Sequence, residues 1–434
     1  MTSVRTTLDA TFRSLRVRNF RLFFTGQLIS QVGNWLTLVA QTLLVLKLTD
    51  SGIALGALAA AQFGPVLILG PWGGLVADRS DKRKLLLIVQ TIAMMQSFAL
   101  AVLGFSHSPP VLAVYAVAFI GGTTMAFDNP TRRAFVVEMV DQDDMNNAVS
   151  LNSALMTTSR VIGPAVAGLL VATVGFGWCF LLDGLSYIAV LVALWMMRTE
   201  ELRAAPPTRR GKGQVREGFR YARSVTAISV PLVMMGVIGT LSYNFQTVFP
   251  LFATRDLHGD DTTFTVLFSI VSVGALIGAL GVARRTVISV RTVAMTALGY
   301  GVGLSAMAIA PNQAIAFVLA PLLGFSSIAF LTASTAIVQI EAAPEMRGRV
   351  LALQAMLFLG STPIGAPIVG WVSEQFGARY GIGLGAVAAL LAGAWGLARA
   401  RRCGPDMALP REVRDEAVAE AAAELSEAEP AAPL

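Results

Sequence analysis

Charge, cysteine and histidine are all scarce in this sequence. Only 14% of its 434 residues are charged, against roughly 25% in soluble proteins, whereas 55% are hydrophobic. An ordinary soluble enzyme is therefore excluded. Uncharged runs of about 20 residues recur along almost the whole chain, and runs of this length match the thickness of a lipid bilayer. We therefore expect lipid to be the solvent for most of the protein.

The same scarcity limits the available chemistry. The two cysteines, Cys179 and Cys403, fall on opposite membrane faces in the topology derived below, which excludes a disulfide framework or a cysteine metal site. The two histidines, His107 and His258, lie in short polar turns and are too few for an HExxH zinc site. The phosphate-loop pattern GxxxxGK(S/T) does not occur. We expect no enzymatic activity, no metal, no cofactor and no ATP-driven step.

Twelve hydrophobic spans are predicted and are numbered 1 to 12 below. They are continuous, rich in Gly, Ala and Leu, and about twice as long as a barrel strand, which excludes a β-barrel. The first span lacks a clear small-residue cleavage site, so we interpret it as a retained helix and not as a signal peptide. The expected fold is an all-α membrane protein with spans at about 22–46, 53–76, 85–105, 111–130, 148–172, 178–197, 227–251, 264–282, 292–310, 314–338, 350–374 and 380–398.

The positions of the basic residues orient these spans. Of the 33 Lys and Arg residues, Lys47, Arg255 and Arg379 lie in odd-numbered connections, Arg160 lies inside a span, and the other 29 lie in the termini and even-numbered connections. This asymmetry predicts a multi-pass protein of the inner (plasma) membrane with both termini cytoplasmic. The net charge of +6 then reflects topology and anionic lipid headgroups, and no nucleic-acid partner is expected.

An internal repeat divides the chain into two halves. A shift of 202 residues places Leu151–Gly175 over Leu353–Gly377 with seven of 25 positions identical. Span 5 thus matches span 11, which predicts two pseudo-symmetric six-helix bundles with a site between them near the membrane midplane. The expected units are a cytoplasmic N-terminus (1–21), a first bundle (22–197), a cytoplasmic linker (198–226), a second bundle (227–398) and a cytoplasmic tail (399–434).

Two polar segments lie outside the bundles. The linker carries eight basic and three acidic residues between Arg198 and Ser224, and we predict a surface helix near Gln214–Arg223 that lies on the membrane. The tail after Arg402 carries two basic and eight acidic residues. Such a segment is expected to be solvated or weakly helical, and we assign it no function.

A charged motif, GGLVADRSDKRK, connects spans 2 and 3. A carboxylate beside several cations can form a salt-bridge latch between neighbouring helices, and a glycine permits close helix approach. We therefore predict a gate at the cytoplasmic side, with a purely orienting role for the cations as the alternative. The gate candidates are Gly74, Asp78, Arg79, Lys82 and Arg83, with Asp128 at the end of span 4 as their acidic partner.

This motif resembles the first signature of the major facilitator superfamily, Gly-x-x-x-Asp-Arg-x-Gly-Arg-Arg/Lys, with Asp81 in place of the second glycine. The stretches RNFRLFFTGQLISQVGNWLT, DNPTRRAFVVEMV and PEMRGRVLALQ are similar to the branch that contains enterobactin exporters and macrolide-efflux proteins. The likeness covers about residues 15–400. It implies the major facilitator fold, alternating access and efflux. In this family an acid at the position of Asp128 pairs with the basic residue of the motif.

A second family pattern lies in span 5, where RVIGPAVAG resembles the GPxxGG signature of exporting antiporters, with Ala167 in place of one glycine. Span 11 repeats the device as PIGAPIVG. Gly and Pro permit tight packing and a bend in a membrane helix, and pure packing is the alternative to a role in efflux. The candidates are Gly163, Pro164, Gly168, Gly365, Pro367 and Gly370.

Two ionisable residues are predicted at membrane depth. Arg160 lies about twelve residues into span 5, where an arginine costs about 2.5–3.5 kcal/mol. Its expected acidic counterpart is Asp183 of span 6, which lies roughly 10 Å away in depth at a rise of about 1.5 Å per residue. We expect Arg160 to face the central cavity and Asp183 to bind the coupled proton; structural charge compensation is the alternative. Span 4 lacks the arginine of the superfamily's proton-antiport motif, so proton coupling is an inference.

Candidate substrate-cavity residues come from spans 1 and 7. Gln27, Gln31 and Asn34 are spaced by four and three, so they form one polar stripe. Such a stripe must face protein or water, and interhelical hydrogen bonding alone is the alternative to lining a cavity. Span 7 adds a mixed aromatic and polar set, Tyr243, Asn244 and Gln246 beside Phe245 and Phe249. An interfacial aromatic belt is the alternative explanation for the aromatic residues.

Together these features predict a secondary transporter that exports an amphipathic small molecule, a drug-like compound or a siderophore, in exchange for protons. A proton entering under 100 mV supplies about 2.3 kcal/mol, enough for roughly fifty-fold accumulation. The alternatives are an importer or uniporter of a small solute on the same fold, or a non-transporting membrane receptor. The expected partners are the substrate, protons and membrane lipids, and we expect a monomer.

Overall fold

The computed structural model describes residues 12–203, 214–283 and 288–402. The N-terminal residues 1–11, part of the linker (204–213) and the acidic tail with Cys403 lie outside the described residues. Short 3₁₀ turns lie at Arg13–Arg16 and Thr199–Glu201. The α-helices of the described residues, α1 to α15, are Arg18–Thr49, Gly52–Arg79, Lys82–Phe105, Val111–Met139, Gln142–Thr173, Phe176–Trp195, Gln214–Ser224, Thr226–Leu241, Phe245–Leu251, Asp261–Ala283, Val290–Ala308, Gln313–Glu341, Pro344–Leu359, Thr362–Phe376 and Ala378–Arg402.

Eleven helical stretches of the described residues are long and apolar enough to cross a membrane. Helices α1 to α6 are spans 1 to 6; α8 and α9 form span 7 with the π-turn Phe252–Asp256; α10 is span 8, α12 is span 10, α13 and α14 form span 11, and α15 is span 12. The predicted span 9 is the 19-residue helix α11, whose Arg291 lowers its hydropathy. The predicted all-α membrane fold is confirmed.

Spans 7 and 11 are broken helices, although continuous ones were predicted. Span 11 stops at Leu359 and restarts at Thr362, with a proline in the first turn of α14, where its missing N–H costs nothing. Span 7 is interrupted between Leu241 and Phe245. At that break the Ser242 hydroxyl donates to a backbone carbonyl of span 12 (2.7 Å), and a tyrosine hydroxyl of span 9 donates to the Ser242 carbonyl (2.8 Å). Neighbouring spans thus satisfy the freed polar groups, as lipid cannot.

The linker contains a helix, α7, where the surface helix was predicted. It packs against the starts of spans 7 and 11. Glu217 pairs with Arg349 of span 11 at 2.7 Å, and the Tyr221 hydroxyl accepts the Ala343 N–H at 2.9 Å. This helix is therefore attached to the second half of the chain.

The twelve spans form two groups of six. In the first half, span 1 packs on spans 5 and 6, span 2 on span 4, and span 3 on span 6. In the second half, span 8 packs on span 10, span 9 on span 12, and span 7 on spans 10 and 12. The halves meet where span 2 packs on span 11 and span 5 on span 8, which is the pseudo-symmetric arrangement expected from the repeat.

Paired glycines of the repeat make equivalent contacts within each half. Gly163 of span 5 lies against the Trp35 side chain of span 1. Its counterpart, Gly365 of span 11, lies against the Thr240 carbonyl of span 7. In each half, the fifth helix thus approaches the first through a glycine that leaves no room for a Cβ.

The next glycine pair acts between the halves. Gly168 of span 5 lies against the Thr265 side chain of span 8, and Gly370 of span 11 lies against the Gly52 carbonyl of span 2. Both contacts would be lost if a side chain separated the helices. The repeat therefore specifies the interface as well as the individual bundles.

The repeat also fixes where spans 5 and 11 end. Gly175 and Gly377 adopt φ values of 88° and 104°, a region that L side chains avoid. Pro164 and Pro367 lie inside their helices. Each half therefore ends its fifth helix with the same backbone reversal before the sixth begins.

We expect Gly365→Val to destabilise the protein by about 1–3 kcal/mol, because an added side chain would overlap the Thr240 carbonyl. The measurement is the unfolding free energy in detergent micelles. Gly383→Val in span 12 is the matched control, because a Cβ at Gly383 meets nothing within 4 Å. Equal losses for both variants would contradict the packing role.

Candidate functional site

The end of the bundle at which span 1 meets span 2 is called the Asp50 end, and the opposite end, at which span 2 meets span 3, is called the Lys82 end. At the Lys82 end, Lys82 Nζ lies 2.6 Å from Glu138 Oε1, and both side chains are buried. This ion pair ties the start of span 3 to the end of span 4. It is the salt bridge between neighbouring helices that the charged motif predicts, but its acid is a different residue.

The expected acidic partner, Asp128, is engaged elsewhere. It accepts a hydrogen bond from Gln90 (2.6 Å) and pairs with Arg132 of its own helix. Asp128 lies ten residues before Glu138 in span 4, about 15 Å further into the bundle. That depth places it away from Lys82. Glu138 stands in the stretch DNPTRRAFVVEMV, which the sequence analysis used only for family resemblance.

The other motif residues have separate roles. Arg83 donates to the carbonyls of Leu194 (2.7 Å) and Trp195 (3.1 Å) at the end of span 6. Such carbonyls lack partners inside their own helix and carry the negative end of the helix dipole. Arg83 thus caps span 6. Arg79 is exposed and Asp78 is half-buried.

The close approach of spans 2 and 4 involves the glycine before Gly74. A Cβ at Gly73 would overlap the Ala126 carbonyl of span 4, whereas Gly74 is half-buried. The motif therefore joins span 2 to span 4 through a backbone contact, span 3 to span 4 through an ion pair, and span 3 to span 6 through a cap.

An ionic cluster joins the two halves at the Asp50 end. The Arg255 guanidinium lies 3.4 Å from an Asp50 carboxylate oxygen and 3.7 Å from a Glu374 carboxylate oxygen, and it also donates to the Asp50 carbonyl. Glu374 accepts the Gly52 N–H at 2.6 Å. We call these four residues the Asp50 cluster. The sequence analysis used Arg255 only for orientation; the scarcity of cations in odd-numbered connections was the one signal for it.

Contacts between the halves along span 2 are found in its part nearer the Asp50 end. Along span 2, Gly56 contacts Ala366 and Leu67 contacts Gly360 of span 11. One turn further, a Cβ at Gly70 would meet nothing within 4 Å, and the following proline is exposed. On span 2, the contacts with span 11 thus extend from the Asp50 end to Leu67, and none is made at Gly70.

Arg160 lies at the inner edge of this packed region. It is eight residues, about 12 Å, from the Gly168 contact on span 5. Its Cζ lies 5.9 Å from the centre of the Trp35 ring, and it interacts electrostatically with Tyr243 and Tyr300 of the other half. The guanidinium therefore faces the interface between the halves; that it lines a central cavity stays a prediction.

Asp183 is not a partner of Arg160. It is 1% exposed, and its Oδ2 accepts hydrogen bonds from Thr37 of span 1 (2.6 Å) and Ser97 of span 3 (2.7 Å). A Cβ at Gly33 would overlap its Oδ1. The carboxylate is thus enclosed by spans 1, 3 and 6 of the first half, and the expected pairing with Arg160 does not occur.

The polar stripe of span 1 is buried against protein. Asn34 accepts a hydrogen bond from the Tyr187 hydroxyl at 2.7 Å, which is the interhelical bonding that the alternative predicted. Gln27 and Gln31 are 2% and 7% exposed. Both amide atoms of Gln27 are without a hydrogen-bond partner in the part of the chain that the structure describes.

The residues of span 7 form an aromatic cluster at the helix break. The Tyr243 ring lies 5.1 Å from the Tyr300 ring and 5.0 Å from the Phe358 ring, so an interfacial belt does not describe it. Asn244 donates to a carbonyl of its own span (2.7 Å), and its Oδ1 has no partner among the residues that the structure describes. Gln246 is half-buried. Within the described ranges, no cluster of His, Cys, Asp and Glu is arranged to hold a metal ion.

Comparison with known proteins decides the family. A model described as transmembrane secretion effector matches residues 9–420, nearly the whole chain. The chain belongs to this family of the major facilitator superfamily. The branch indicated by the sequence motifs is confirmed.

Two curated relatives and one solved structure illustrate the match. The chain is 23% identical to the staphyloferrin A transporter of Staphylococcus aureus over 82% of its own length and 90% of the relative's. It is 22% identical to macrolide efflux protein A of Streptococcus pyogenes over 83% and 91%. A bacterial homologue of the human lysosomal transporter Spinster, in an inward-facing and unoccupied conformation, shares the fold with a TM-score of 0.67 at 15% identity, over 88% of this chain and 96% of that one. The protein is a multi-pass transporter of the efflux type.

We expect Lys82→Ala to destabilise the transporter by about 3–5 kcal/mol, because it removes the ammonium group that pairs with the buried Glu138 carboxylate. Lys84→Ala is the matched control: Lys84 pairs with Asp81 at 3.8 Å while exposed, and such pairs contribute about 0–1 kcal/mol. Unfolding free energies in detergent provide the comparison. A Lys82→Glu/Glu138→Lys double variant should recover part of the loss; no recovery would argue against the pair.

Proposed function

We propose that this transporter exports an amphipathic small molecule in exchange for protons, by alternating access. It lies in the plasma membrane as a monomer surrounded by lipid, with both termini and the Lys82 end in the cytoplasm and the gate motif at that end. The single observation that carries the proposal is the packing of span 2 on span 11, which extends from the Asp50 end to Leu67 and is absent at Gly70, nearer the Lys82 end. Such a molecule can load substrate from the cytoplasm.

Export then requires the Asp50 cluster to open. Arg255 is about one-third exposed, and Asp50 and Glu374 are more than one-quarter exposed. Exposed ion pairs contribute only about 0–1 kcal/mol each. The cluster is therefore strong enough to define the closed end and weak enough to break in each cycle.

Asp183 is the candidate proton site because its hydrogen bond to Thr37 connects it to span 1, the helix that contacts Arg160. In the ionised form its Oδ2 receives two hydroxyl bonds, and charge-assisted bonds of this kind are roughly twice as strong as neutral ones. Protonation weakens the bond to Thr37, which lies two residues from Trp35 on span 1. Trp35 in turn contacts Arg160. A proton on Asp183 can thereby alter the interface without touching substrate.

The substrate class follows from the relatives and the midplane residues. The relatives' names specify a siderophore, staphyloferrin A, and macrolides. The aromatic rings around Tyr243 offer apolar surface, and Arg160 offers a charge beside it. An importer or uniporter of a small solute on the same fold is the second candidate function, and the broken spans 7 and 11 suit it equally.

We expect Asp183→Asn to abolish proton-driven export while leaving energy-independent exchange of substrate intact. Asparagine keeps an oxygen acceptor for Thr37 and Ser97 but cannot bind a proton. Substrate accumulation is measured in inverted vesicles that are energised by an imposed pH gradient. Radiolabelled erythromycin and ethidium are the probes, and a protonophore is the control. Glu200→Gln serves as the control for loss of an acid elsewhere, because Glu200 is exposed and follows span 6, outside the gate motif.

The outcomes of this experiment distinguish a proton site at Asp183, a structural role for Asp183 and uniport. Gradient-driven export by Asp183→Asn equal to the wild type would remove Asp183 as the proton site. Loss of both driven export and exchange would indicate a structural role for Asp183. Flux of the probes down their own gradient, unaffected by protonophore in the wild type, would favour the uniporter.

We expect Glu374→Gln to shift the transporter towards opening at the Asp50 end, because it removes one carboxylate from Arg255. Spin labels at the exposed residues Ser108 and Gln375 report the distance between the halves at this end, after the native cysteines are replaced. A longer distance population is the expected result. Asp261→Asn is the control, since it removes an acid near the same end outside the Asp50 cluster. An unchanged distribution would argue against the cluster as the closing element.

A further inference from the structure

We propose that Arg160 is an anion-binding residue and that the exported molecules include amphipathic carboxylates. This inference rests on the proposed export function and specifies its substrate class. It begins from an uncompensated charge. Lys82, Arg132 and Arg255 each have a carboxylate within 4.0 Å, whereas Arg160 has neither a carboxylate within that distance nor a hydrogen-bond partner among the described residues.

The surroundings of Arg160 cannot neutralise it. Its neighbours across the interface, Tyr243 and Tyr300, donate their hydroxyl hydrogens to the carbonyls of Ser327 and Ser242. On its own half, it lies beside the face of an indole ring. A guanidinium has five N–H donors and cannot lose its charge in a protein. At membrane depth such a group is normally paired or faces a solvated cavity.

The position of Arg160 makes the missing partner a ligand and not a structural acid. It lies near the midplane at the interface between the halves, which is where transporters of this architecture bind substrate. Trp35 contacts Arg160 and also pairs with Phe268 of span 8, with ring centres 6.2 Å apart. Tyr243 and Phe358 add rings from spans 7 and 11. Apolar surface from both halves therefore surrounds one cation.

One cation among aromatic rings favours a particular class of ligand. A guanidinium binds carboxylate through two parallel hydrogen bonds. A single cation matches one negative charge, which favours a monocarboxylate over a doubly charged phosphate. The adjacent rings accommodate an apolar body. A molecule with a carboxylate at one end and a hydrophobic part at the other fits both features.

The test compares two probes with the same pyrene body, 1-pyrenebutyrate and its methyl ester, of which only the first carries a negative charge. Binding to the purified full-length transporter is measured by equilibrium dialysis. We expect Arg160→Gln to weaken binding of the acid by about 10- to 100-fold and to leave the ester unchanged, with Arg160→Lys intermediate. Arg399→Gln is the matched control, because Arg399 also lies over an indole ring, that of Trp395 at 5.6 Å, but at an exposed position.

Each outcome bears on one claim. An acid-to-ester binding ratio that is the same in the wild type, Arg399→Gln and Arg160→Gln would overturn the anion site. Retained binding of the ester shows that Arg160→Gln is folded. If ester binding is lost in Arg160→Gln, the acid-to-ester binding ratio in Arg160→Lys decides. Phosphate that competes with the acid better than acetate does would overturn the choice of carboxylate. Absence of export of either probe from wild-type vesicles would count against the proposed function, whereas export of the ester without preference for the acid would count against this inference alone.

Discussion

Lipid offers no hydrogen bonds, and this constraint governs the arrangement of polar groups in the protein. Every backbone or side-chain polar group at depth needs a protein partner or access to water. At the break in span 7, Ser242 and Tyr300 supply such partners across three spans. Asp183 receives two hydroxyl bonds from neighbouring helices. Arg160, which has no carboxylate partner among the described residues, lies at the boundary between the halves.

The second constraint is the duplication of the chain. The glycines of spans 5 and 11 serve first to pack within a half and then to pack between halves, and the final pair ends each helix with a left-handed residue. Because both duplicated helices contribute to the interface, a substitution in the repeat affects folding and transport together. The ionic contacts act at two levels: Lys82 with Glu138 joins spans of the first half, and the Asp50 cluster joins both halves.

The sequence was sufficient to predict the features that depend on local composition. Span positions follow from hydropathy, and the pairing of span 5 with span 11 follows from repeated glycines. The identity of an ion-pair partner could not be predicted in this way, because it depends on depth along a helix. Asp128 and Glu138 lie in the same span, but only Glu138 reaches Lys82. Arg255 and Glu374 are separated by many residues, and no pattern links them. The enclosure of Asp183 likewise follows from helix packing, which hydropathy does not encode.

The interruptions of spans 7 and 11 give the two halves unequal mechanical properties. Both breaks belong to the second half, whereas their counterparts, spans 1 and 5, run unbroken through 32 residues each. A helix without a continuous hydrogen-bond ladder bends at lower cost. The second half can therefore bend at two positions where the matching spans of the first half are continuous, so the duplicated halves differ in stiffness.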